Sequence, residues 1–243
     1  MKKVTVVGIG PGNPEGMTFA AKSALEQADI HIGYTKYIEL VSDLFPQKPV
    51  YSTPMRGEVD RCLEALRLAS ENQHVAVISS GDAGVYGMAS LIYQLSDPFE
   101  DVEIEVIAGV SAAQSGAALL GAPLSHDFAV ISLSDLLTSW EVIEKRIACA
   151  AEGDFCICLY NPMSKKRVDH LRKACETMMQ YKSPNTLCAI ASNIGRDGQS
   201  IQLLTLHELS EAKVDMFTTV FIGNQYTEEI RGKMITPRGY DLD

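Results

Sequence analysis

The chain has 243 residues, of which 46% are hydrophobic and 21% are charged. This composition is that of an ordinary globular protein and excludes disordered, collagen-like and disulfide-scaffold classes. The formal net charge of -10 repels the phosphates of nucleic acid, so we expect no nucleic-acid partner. No run reaches the roughly 20 apolar residues of a membrane span, and no signal peptide follows Met1. We therefore expect a cytoplasmic protein with no membrane partner.

The first half of the chain alternates strand-like and helix-like patterns. Apolar, β-rich runs predict strands, and segments of helical periodicity separate them. The predicted strands span Lys3 to Val7, Asp29 to Ile32, His74 to Ile78 and Val102 to Ile107, and the predicted helices span Gly16 to Gln27, Lys36 to Leu44, Glu58 to Glu71 and Gly84 to Leu95. This alternation is typical of a parallel sheet, so residues 1–120 are predicted to form a parallel α/β domain.

A predicted helix from Ser111 to Leu120 ends at Gly121-Ala122-Pro123, where we place a domain boundary. Residues 121–243 repeat the α/β theme, and the strands at Ser200 and Thr218 have little predicted helix between them, which indicates a mixed sheet. The predicted elements are strands near Phe128 to Leu133, Asp154 to Tyr160, Thr186 to Ala191, Ser200 to Thr205 and Thr218 to Ile222, with helices near Trp140 to Ala151 and Lys165 to Tyr181. We therefore predict two α/β domains with a ligand cleft between them.

The six cysteines are predicted to be small buried hydrophobic residues. They contain no C-x-x-C pair and have no histidine at ligand spacing. They are Cys62, Cys149, Cys156, Cys158, Cys175 and Cys188. We therefore predict no metal site.

The loop after the first predicted strand, Gly8-Ile-Gly-Pro-Gly-Asn-Pro14, stands where a dinucleotide-binding loop would lie. A dinucleotide fingerprint requires a small residue where this sequence has Asn13, and an acidic residue near Ile32-Gly33-Tyr34. Pro11 and Pro14 also lack the N–H groups that a pyrophosphate would bind. The loop therefore favours close backbone approach by another kind of ligand, with an ordinary tight turn as the alternative.

Two further loops follow predicted strands. The first, Ser79 to Met88, contains three glycines, whose conformational cost is not explained by a helix cap at Asp82 alone. The second, Ala108 to Ala112, has the same position after the fourth strand, with Ser111 as a candidate helix N-cap. Because ligands bind at the carboxyl ends of parallel strands, both loops are candidate ligand sites.

The sequence resembles the tetrapyrrole methyltransferases, which use S-adenosyl-L-methionine, in three motifs that occur in the same order and spacing: Gly8-Ile-Gly-Pro-Gly12, Gly81-Asp-Ala-Gly-Val-Tyr-Gly-Met88 and Ala108-Gly-Val-Ser-Ala112. Two segments are similar to one branch, which methylates C17 of precorrin-3B or its cobalt form in cobalamin synthesis: Ile131-Ser-Leu-Ser-Asp-Leu-Leu-Thr-Ser-Trp-Glu141 and Leu159-Tyr-Asn-Pro-Met-Ser-Lys165. The resemblance extends from Val4 to Gly223. It implies a tetrapyrrole methylase fold, a homodimer, and methylation accompanied by ring contraction.

The resemblance also implies which residues bind the cofactor. In the family, adenosylmethionine lies in the interdomain cleft and is held largely by backbone groups. The matching positions in the first domain are Pro11, Gly81, Asp82, Ala83, Val85, Tyr86, Ser111 and Ala112, and those in the second domain are Leu133, Tyr160, Asn161, Ala191 and Thr219. Adenosylmethionine carries its own activation as a sulfonium, so methyl transfer depends on placement and a dry cleft more than on a nucleophilic side chain.

Substrate and catalytic residues are predicted on weaker patterns. A tetrapyrrole carries many carboxylates, so cations in an acidic chain are candidate substrate contacts. These are Lys165, Lys166 and Arg167 at a predicted helix start, where the helix dipole disfavours cations, together with Arg56 and Arg196 in glycine-flanked loops. A solvated surface cluster is the alternative for the first three.

Asp135, in the branch motif, is a candidate acid or base for ring contraction, with a pKa raised toward working pH by its environment. Helix N-capping is the alternative for this carboxylate. His126, His170 and His207 each stand alone in the sequence and are not predicted to be catalytic.

Three other functions remain open at this stage. The first is methylation at another tetrapyrrole position, such as C11 or C20, against which the branch motifs argue. The second is an NAD-dependent oxidoreductase, which would need the fingerprint that Asn13 interrupts. The third is a noncatalytic sensor that binds the cofactor without turnover.

Overall fold

The computed structural model describes residues 1–164 and 167–241. The chain divides into two compact units, Met1–Ala112 and Ala113–Asp243, each with its own sheet and core. Within the described residues, no helix has the length and apolar character needed to cross a membrane.

The first unit alternates strands and helices along the chain. Its elements are β1 (Lys3–Gly8), α1 (Phe19–Gln27), β2 (Ile30–Tyr34), α2 (Thr35–Ser42), β3 (Val50–Thr53), α3 (Glu58–Ser70), β4 (His74–Ser79), α4 (Ala89–Gln94) and β5 (Glu103–Ile107). The sheet has the strand order β3-β2-β4-β1-β5, and every pairing is parallel. All strands therefore end at the same edge, and β4 and β1 are flanked by strands on both sides.

Alternating side chains on the central strands bury both faces of this sheet. Val75 and Val77 of β4 pack with α3 and α4, whereas Ala76 and Ile78 pack with α1 and α2. Successive side chains of a strand point to opposite faces, so a continuous apolar run requires helices on both. This is why His74–Ser79, buried at every position, forms the centre of a doubly covered parallel sheet.

The second unit is built around a mixed sheet. Its elements, beginning with a helix that starts at the last residue of the first unit, are α5 (Ala112–Leu120), β6 (Gly121–Ala122), β7 (Phe128–Ser132), α6 (Trp140–Glu152), β8 (Cys156–Tyr160), α7 (His170–Met178), β9 (Leu187–Ser192), β10 (Ser200–Thr205), α8 (Leu206–Glu211), β11 (Thr218–Ile222), β12 (Glu228–Ile230) and β13 (Lys233–Ile235). The main sheet has the order β10-β9-β11-β8-β7, in which only β7 and β8 pair in parallel. A small sheet, β12-β13-β6, accompanies it.

Different helices pack on the two faces of the main sheet of the second unit. Val220 and Ile222 of β11 pack with α6, α7 and α8. Phe221 points to the opposite face, where a Cβ added to Gly116 of α5 would lie 2.7 Å from its ring Cζ. Helix α5 can therefore approach β11 only because residue 116 is glycine.

The structure confirms the predicted α/β class, the parallel first sheet and the mixed second sheet. The predicted domain boundary followed residue 120, whereas the compact units divide at the start of α5. The close packing of Gly116 on Phe221 associates this helix with the second unit. The break at Gly121, where φ is +128°, ends the helix as expected.

Several element bounds differ from the prediction. Strand β3, which is the outermost strand on one side of the sheet and is largely exposed, was not predicted. Helices α1 and α4 begin at Phe19 and Ala89, because the glycine-rich segments before them form loops. The described part of α7 begins at His170, and the predicted start at Lys165 lies outside the described residues.

Candidate functional site

Three strand-end loops of the first sheet meet through their backbones. Gly10 and Gly81 form an isolated antiparallel bridge, with N···O distances of 3.0 and 2.8 Å. A Cβ added to Gly8 would lie 2.7 Å from the Gly109 nitrogen and 2.8 Å from the Gly81 oxygen, and one added to Gly109 would overlap the Gly81 oxygen. The loops after β1, β4 and β5 can therefore cross only with glycine at these positions.

Asp82 joins two of these loops. Its Oδ1 accepts the backbone N–H groups of Gly84 and Val85 at 2.8 and 3.1 Å, and its Oδ2 accepts that of Gly109 at 3.0 Å. The carboxylate thus closes an Asx-type turn and connects the loop after β4 to the loop after β5. The predicted helix-cap alternative for Asp82 is wrong, because α4 begins only at Ala89.

The predicted cofactor residues of the first domain come together at this edge. A Cβ added to Gly81 would lie 3.7 Å from both the Ser111 Cα and the Ala112 nitrogen, so these positions face each other at van der Waals distance. Ala83 is fully buried beneath this edge, and its carbonyl accepts the N–H of Ala89 at 3.1 Å. Pro11 lies in the adjoining loop after β1. It stands two residues before Asn13, which is the N-cap of the 3₁₀ turn Pro14–Gly16.

Val85 and Tyr86 supply exposed apolar surface beside these backbone groups, with 39% and 56% of each residue accessible. Tyr86 has φ of +55°, in the left-handed region that large side chains rarely adopt. Such strained residues concentrate at ligand sites, where the surrounding structure maintains them. The loop therefore presents both backbone and apolar side chains in a defined conformation.

The first loop does not form a dinucleotide site. Gly10 and Gly12 have positive φ, and a 3₁₀ turn at Pro14–Gly16 separates them from α1, which begins at Phe19. The first turn of α1 is capped by its own Thr18, whose side chain accepts the N–H of Ala21. A pyrophosphate on the helix N-terminus, as the dinucleotide fold requires, has no counterpart here.

The predicted cofactor residues of the second domain lie at one edge of the second sheet. β8 and β9 are both antiparallel to β11, so β7, β8 and β9 end on the same side. Leu133 follows β7, Tyr160 ends β8 and Asn161 follows it. Ala191, near the end of β9, pairs with Thr219, near the start of β11. All five residues are therefore near neighbours along this edge.

Hydrogen bonds fix the conformation of this edge. Tyr160 Oη accepts the backbone N–H of Ala113 at 2.8 Å. Asn161 has φ of +54°, and its Nδ2 donates to Ser132 Oγ at 3.0 Å. The backbone N–H of Leu133 donates to the Tyr160 carbonyl at 2.9 Å. The loops after β7 and β8 are thus connected to each other.

Asp135 and His170, which lie far apart in the sequence, form a pair. His170 Nε2 is 3.1 Å from Asp135 Oδ2. Burial by itself would raise the pKa of Asp135, but the hydrogen bond and charge of His170, a backbone hydrogen bond and the charge of Arg167 together lower it. The predicted raised pKa of Asp135 is therefore wrong.

The structure corrects two predictions, that Asp135 is a helix N-cap and that His170 stands alone. The capping alternative for Asp135 is wrong, because the N-cap of α6 is Ser139. His170 does not stand alone, since its ring contacts Asp135, Asp169 and Trp140. No local sequence pattern predicts the contact between His170 and Asp135, because the two residues are 35 positions apart.

The predicted cations differ in their settings. Arg56 is exposed after β3 with φ of +73°, and its backbone N–H donates to Glu58. Arg196 is half-buried after β9, with its guanidinium 5.8 Å from the centre of the Phe217 ring. Arg167 is half-buried, and its Nε has no hydrogen-bond partner among the described residues. Lys165 and Lys166 lie outside the described residues.

Five of the six cysteines are buried, as predicted, but Cys149 is exposed on α6. Burial raises the pKa of the Cys62 thiol to about 11 and that of Cys175 to about 12. These thiols stay protonated at neutral pH and behave as small apolar side chains. Within residues 1–164 and 167–241, no three His, Cys, Asp or Glu side chains are arranged to hold a metal ion.

These features define the class of protein: an α/β protein whose glycine-rich loops follow parallel strands but lack the dinucleotide-binding arrangement. Residues 3–210 match the family model of Tetrapyrrole (Corrin/Porphyrin) Methylases. The chain belongs to this family.

The comparisons with individual proteins agree with this assignment. The chain is 47% identical to the probable cobalt-factor III C(17)-methyltransferase of Salmonella typhimurium, over 98% of this chain and 100% of that protein. It is 46% identical to the cobalamin biosynthesis protein CbiHC of Archaeoglobus fulgidus, over 98% of this chain and 53% of that protein, and so spans about half of it. The crystal structure of the methyltransferase CobJ matches with a TM-score of 0.89 and 36% identity, over 96% of this chain and 99% of that one. The predicted family and fold are confirmed.

Proposed function

We propose that this protein transfers a methyl group from S-adenosyl-L-methionine to C17 of cobalt-factor III or a precorrin-3B-type macrocycle, with ring contraction, in cobalamin biosynthesis. The observation that carries the proposal is the 47% identity to a probable cobalt-factor III C(17)-methyltransferase over that protein's full length. The branch segments around Asp135 and Tyr160 support C17 rather than C11 or C20 as the methylated position.

The loops of the first unit fit a cofactor that is held by backbone groups. Gly81, Ser111 and Ala112 face each other at the sheet edge, and Val85 and Tyr86 offer apolar surface beside them. When bound, adenosylmethionine would supply an electrophilic methyl group on a positively charged sulfur. The task of the protein is then to orient and desolvate the reactants, and preformed loops do this without rearrangement.

The second-unit residues, the cation contacts and the assembly state remain part of the proposal. We assign Leu133, Tyr160, Asn161, Ala191 and Thr219 to the cofactor because they share one sheet edge and match the family positions. Homodimerisation, the interdomain cleft and a cytoplasmic location stay predictions. Size-exclusion chromatography with light scattering measures the oligomeric state directly.

Two other classes of function are weaker. An NAD-dependent oxidoreductase lacks support, because the 3₁₀ turn at Pro14–Gly16 replaces the helix start that would hold a pyrophosphate. A noncatalytic adenosylmethionine sensor has the same loops as an enzyme, so only turnover distinguishes it. Tight binding of NAD in calorimetry, or cofactor binding without turnover, would favour one of these alternatives.

The decisive experiment is incubation with adenosylmethionine and either cobalt-factor III or metal-free precorrin-3B, followed by mass spectrometry and NMR of the product. We expect one added methyl group at C17 on one or both substrates. The comparison of the two substrates also shows whether cobalt must be present. Methylation at another carbon, or none on either tetrapyrrole, would refute the proposal.

A binding experiment tests the cofactor loop separately. Gly81→Val is a poor probe, because φ of +68° at this position makes any side chain strain the backbone. Val85→Lys keeps an exposed position and places a cation beside the proposed site of a positively charged cofactor, so affinity for adenosylmethionine should fall about tenfold or more. Val50→Lys is the matched control, since Val50 is also exposed, at 47%, but begins β3 at the opposite sheet edge. Equal affinities in the two variants would remove this loop from the site.

A further inference from the structure

The Asp135–His170 pair belongs to a larger cluster at the same sheet edge as Tyr160 and Leu133. Asp135 lies in the loop between β7 and α6, and His170 is the first residue of α7. The second ring nitrogen of His170, Nδ1, is 3.2 Å from Asp169 Oδ1. The histidine therefore has a carboxylate at each nitrogen.

These two contacts fix the orientation of the imidazole. A carboxylate only accepts hydrogen bonds, so a ring nitrogen of His170 that carries hydrogen can donate to the carboxylate beside it. The other charged neighbours are Lys173, which pairs with Asp169 at 2.7 Å, and Arg167, whose charge acts on Asp135.

Packing holds the ring in place. Trp140, the only tryptophan of the chain, contacts His170 edge to face with a 4.9 Å separation of ring centroids. The His170 side chain is only 10% exposed, whereas that of Asp135 is 37% exposed. The cluster therefore has a buried, fixed end at the histidine and an accessible end at the Asp135 carboxylate.

The accessible end lies beside apolar surface. Leu136 and Leu137, which follow Asp135 directly, are 63% and 99% exposed. Exposed leucines next to an ionised carboxylate suit a ligand that has an apolar face and polar N–H groups. A metal-free tetrapyrrole macrocycle has both, since its ring carbons are apolar and its pyrrole nitrogens carry hydrogen.

On the proposed function with a metal-free, precorrin-3B-type substrate, we propose that the Asp135 carboxylate accepts a hydrogen bond, and then the proton, from a pyrrole N–H of the macrocycle, and that His170 is the positioning residue that orients it. The balance of the step is complete. The ring carbon supplies the electron pair of the new C–C bond, and sulfur keeps the pair of the broken bond. The N–H proton passes to Asp135, so the macrocycle keeps its starting charge. Asp135 thus acts in methylation as a base, rather than as the acid that its sequence context alone also allowed.

The single tryptophan offers a test that needs no turnover. Titration of the folded protein with metal-free precorrin-3B should perturb Trp140 emission in the wild type, because the Trp140 ring contacts His170, and should perturb it less in Asp135→Asn. An equal response in the two proteins would overturn the contact of the substrate with Asp135.

Kinetics separate the roles of the two carboxylates. Asp135→Asn should lower kcat about 100-fold, the typical contribution of a general base, with KM for adenosylmethionine within about twofold. Asp169→Asn is the matched control, because it also removes one carboxylate from His170 but leaves Asp135 in place, and it should keep kcat within about threefold. Near-wild-type kcat in Asp135→Asn, or equal losses in both variants, would overturn the inference.

The positioning role of His170 has its own signature. Because the His170 hydrogen bond and charge hold the pKa of Asp135 below its usual value, His170→Gln should move the acidic limb of the kcat profile to higher pH. A merely structural role would lower activity without moving that limb. If His170→Gln does not fold, the comparison of Asp135→Asn with Asp169→Asn decides alone. If the wild type methylates no tetrapyrrole, the proposed function is refuted. If the wild type methylates normally and Asp135→Asn has the same kcat, only this inference is refuted.

Discussion

Asp82 illustrates how a single side chain can define a ligand loop. Its two carboxylate oxygens accept three backbone N–H groups, two from its own loop and one from Gly109 in the neighbouring loop. Hydrogen bonds to a charged acceptor are stronger than neutral ones, and their loss leaves donors without partners. Asp82 therefore holds the loop after β4 in a defined conformation.

Removing this side chain should affect both stability and binding. We expect Asp82→Ala to lower the free energy of unfolding by about 2 kcal/mol, because three N–H groups lose their acceptor. Affinity for adenosylmethionine should fall as well, since the loop is no longer preorganised. Urea denaturation and calorimetry measure the two effects, and Asp97→Ala, in the 3₁₀ turn Asp97–Phe99, is the control. An Asp82→Ala protein that unfolds and binds like wild type would contradict the role.

At the scale of elements, helix α8 shows a local signal that predicts a helix where the pattern of apolar residues does not. Thr205 and Glu208 form a capping box, in which Thr205 Oγ1 accepts the N–H of Glu208 at 3.2 Å and Glu208 Oε2 accepts that of Thr205 at 2.7 Å. The Thr-x-x-Glu spacing is visible in the sequence and marks a helix start. The prediction of little helix before β11 overlooked it.

The capping box predicts a pH-dependent contribution to stability. Thr205→Ala should lower the free energy of unfolding by about 1 kcal/mol near neutral pH. The backbone and side-chain hydrogen bonds of Thr205 lower the pKa of Glu208 from 4.5. The stabilisation from Glu208 is therefore complete above its unfolded pKa and is lost as pH falls through the lower folded value. Urea denaturation of both proteins should show a difference that narrows in acid, and a constant difference would contradict the box.

The crossing of three strand ends is a second feature at this scale, and it makes Gly109 the least replaceable residue of the loops. A methyl group there would overlap the Gly81 oxygen and lie 2.5 Å from the Gly8 oxygen. Both are backbone atoms, which cannot move away by changing rotamer as a side chain can. We expect Gly109→Ala to cost about 3 kcal/mol or to prevent folding. Gly84→Ala is the control, because its Cβ would meet only the Asp82 side chain at 3.3 Å. Similar thermal unfolding of the two variants would show that the crossing relaxes easily.

At the scale of the whole molecule, the proposed function requires an acidic protein to bind a substrate that carries many carboxylates. With a net charge of -10, local cations have to offset the overall repulsion. Arg167 is a candidate, because its Nε is buried without a hydrogen-bond partner among the described residues. Lys165 and Lys166 precede it in the sequence.

Neutralising this cluster tests its role. Replacing Lys165, Lys166 and Arg167 by Gln should raise the KM for the tetrapyrrole about tenfold at low salt, as the loss of three charge pairs of about 0.5 kcal/mol each would. The effect should shrink at high salt, because screening already weakens the attraction in the wild type. Steady-state kinetics at two ionic strengths measure both. A substrate KM that is unaltered at low salt would identify the cluster as solvated surface.

Much of the fold is determined locally. The continuous apolar run at residues 75–78 and the periodic helices around it predict a parallel sheet, because only a strand covered on both faces can be apolar at successive positions. The glycine motifs predict the ligand edge for a similar reason, since glycine is costly where the backbone does not need it. The family resemblance rests on these same residues.

The sequence by itself determined the α/β class, the strand ends that bear the loops and the family to which the chain belongs. Only the tertiary structure decided which loops touch, that Asp82 connects two of them, and that Asp135 meets His170. Local order follows from propensity and periodicity along a few neighbouring residues. The contacts of Asp82 with Gly109 and of Asp135 with His170 join positions 27 and 35 residues apart. They depend on the register and direction of whole strands, which no short stretch of sequence specifies.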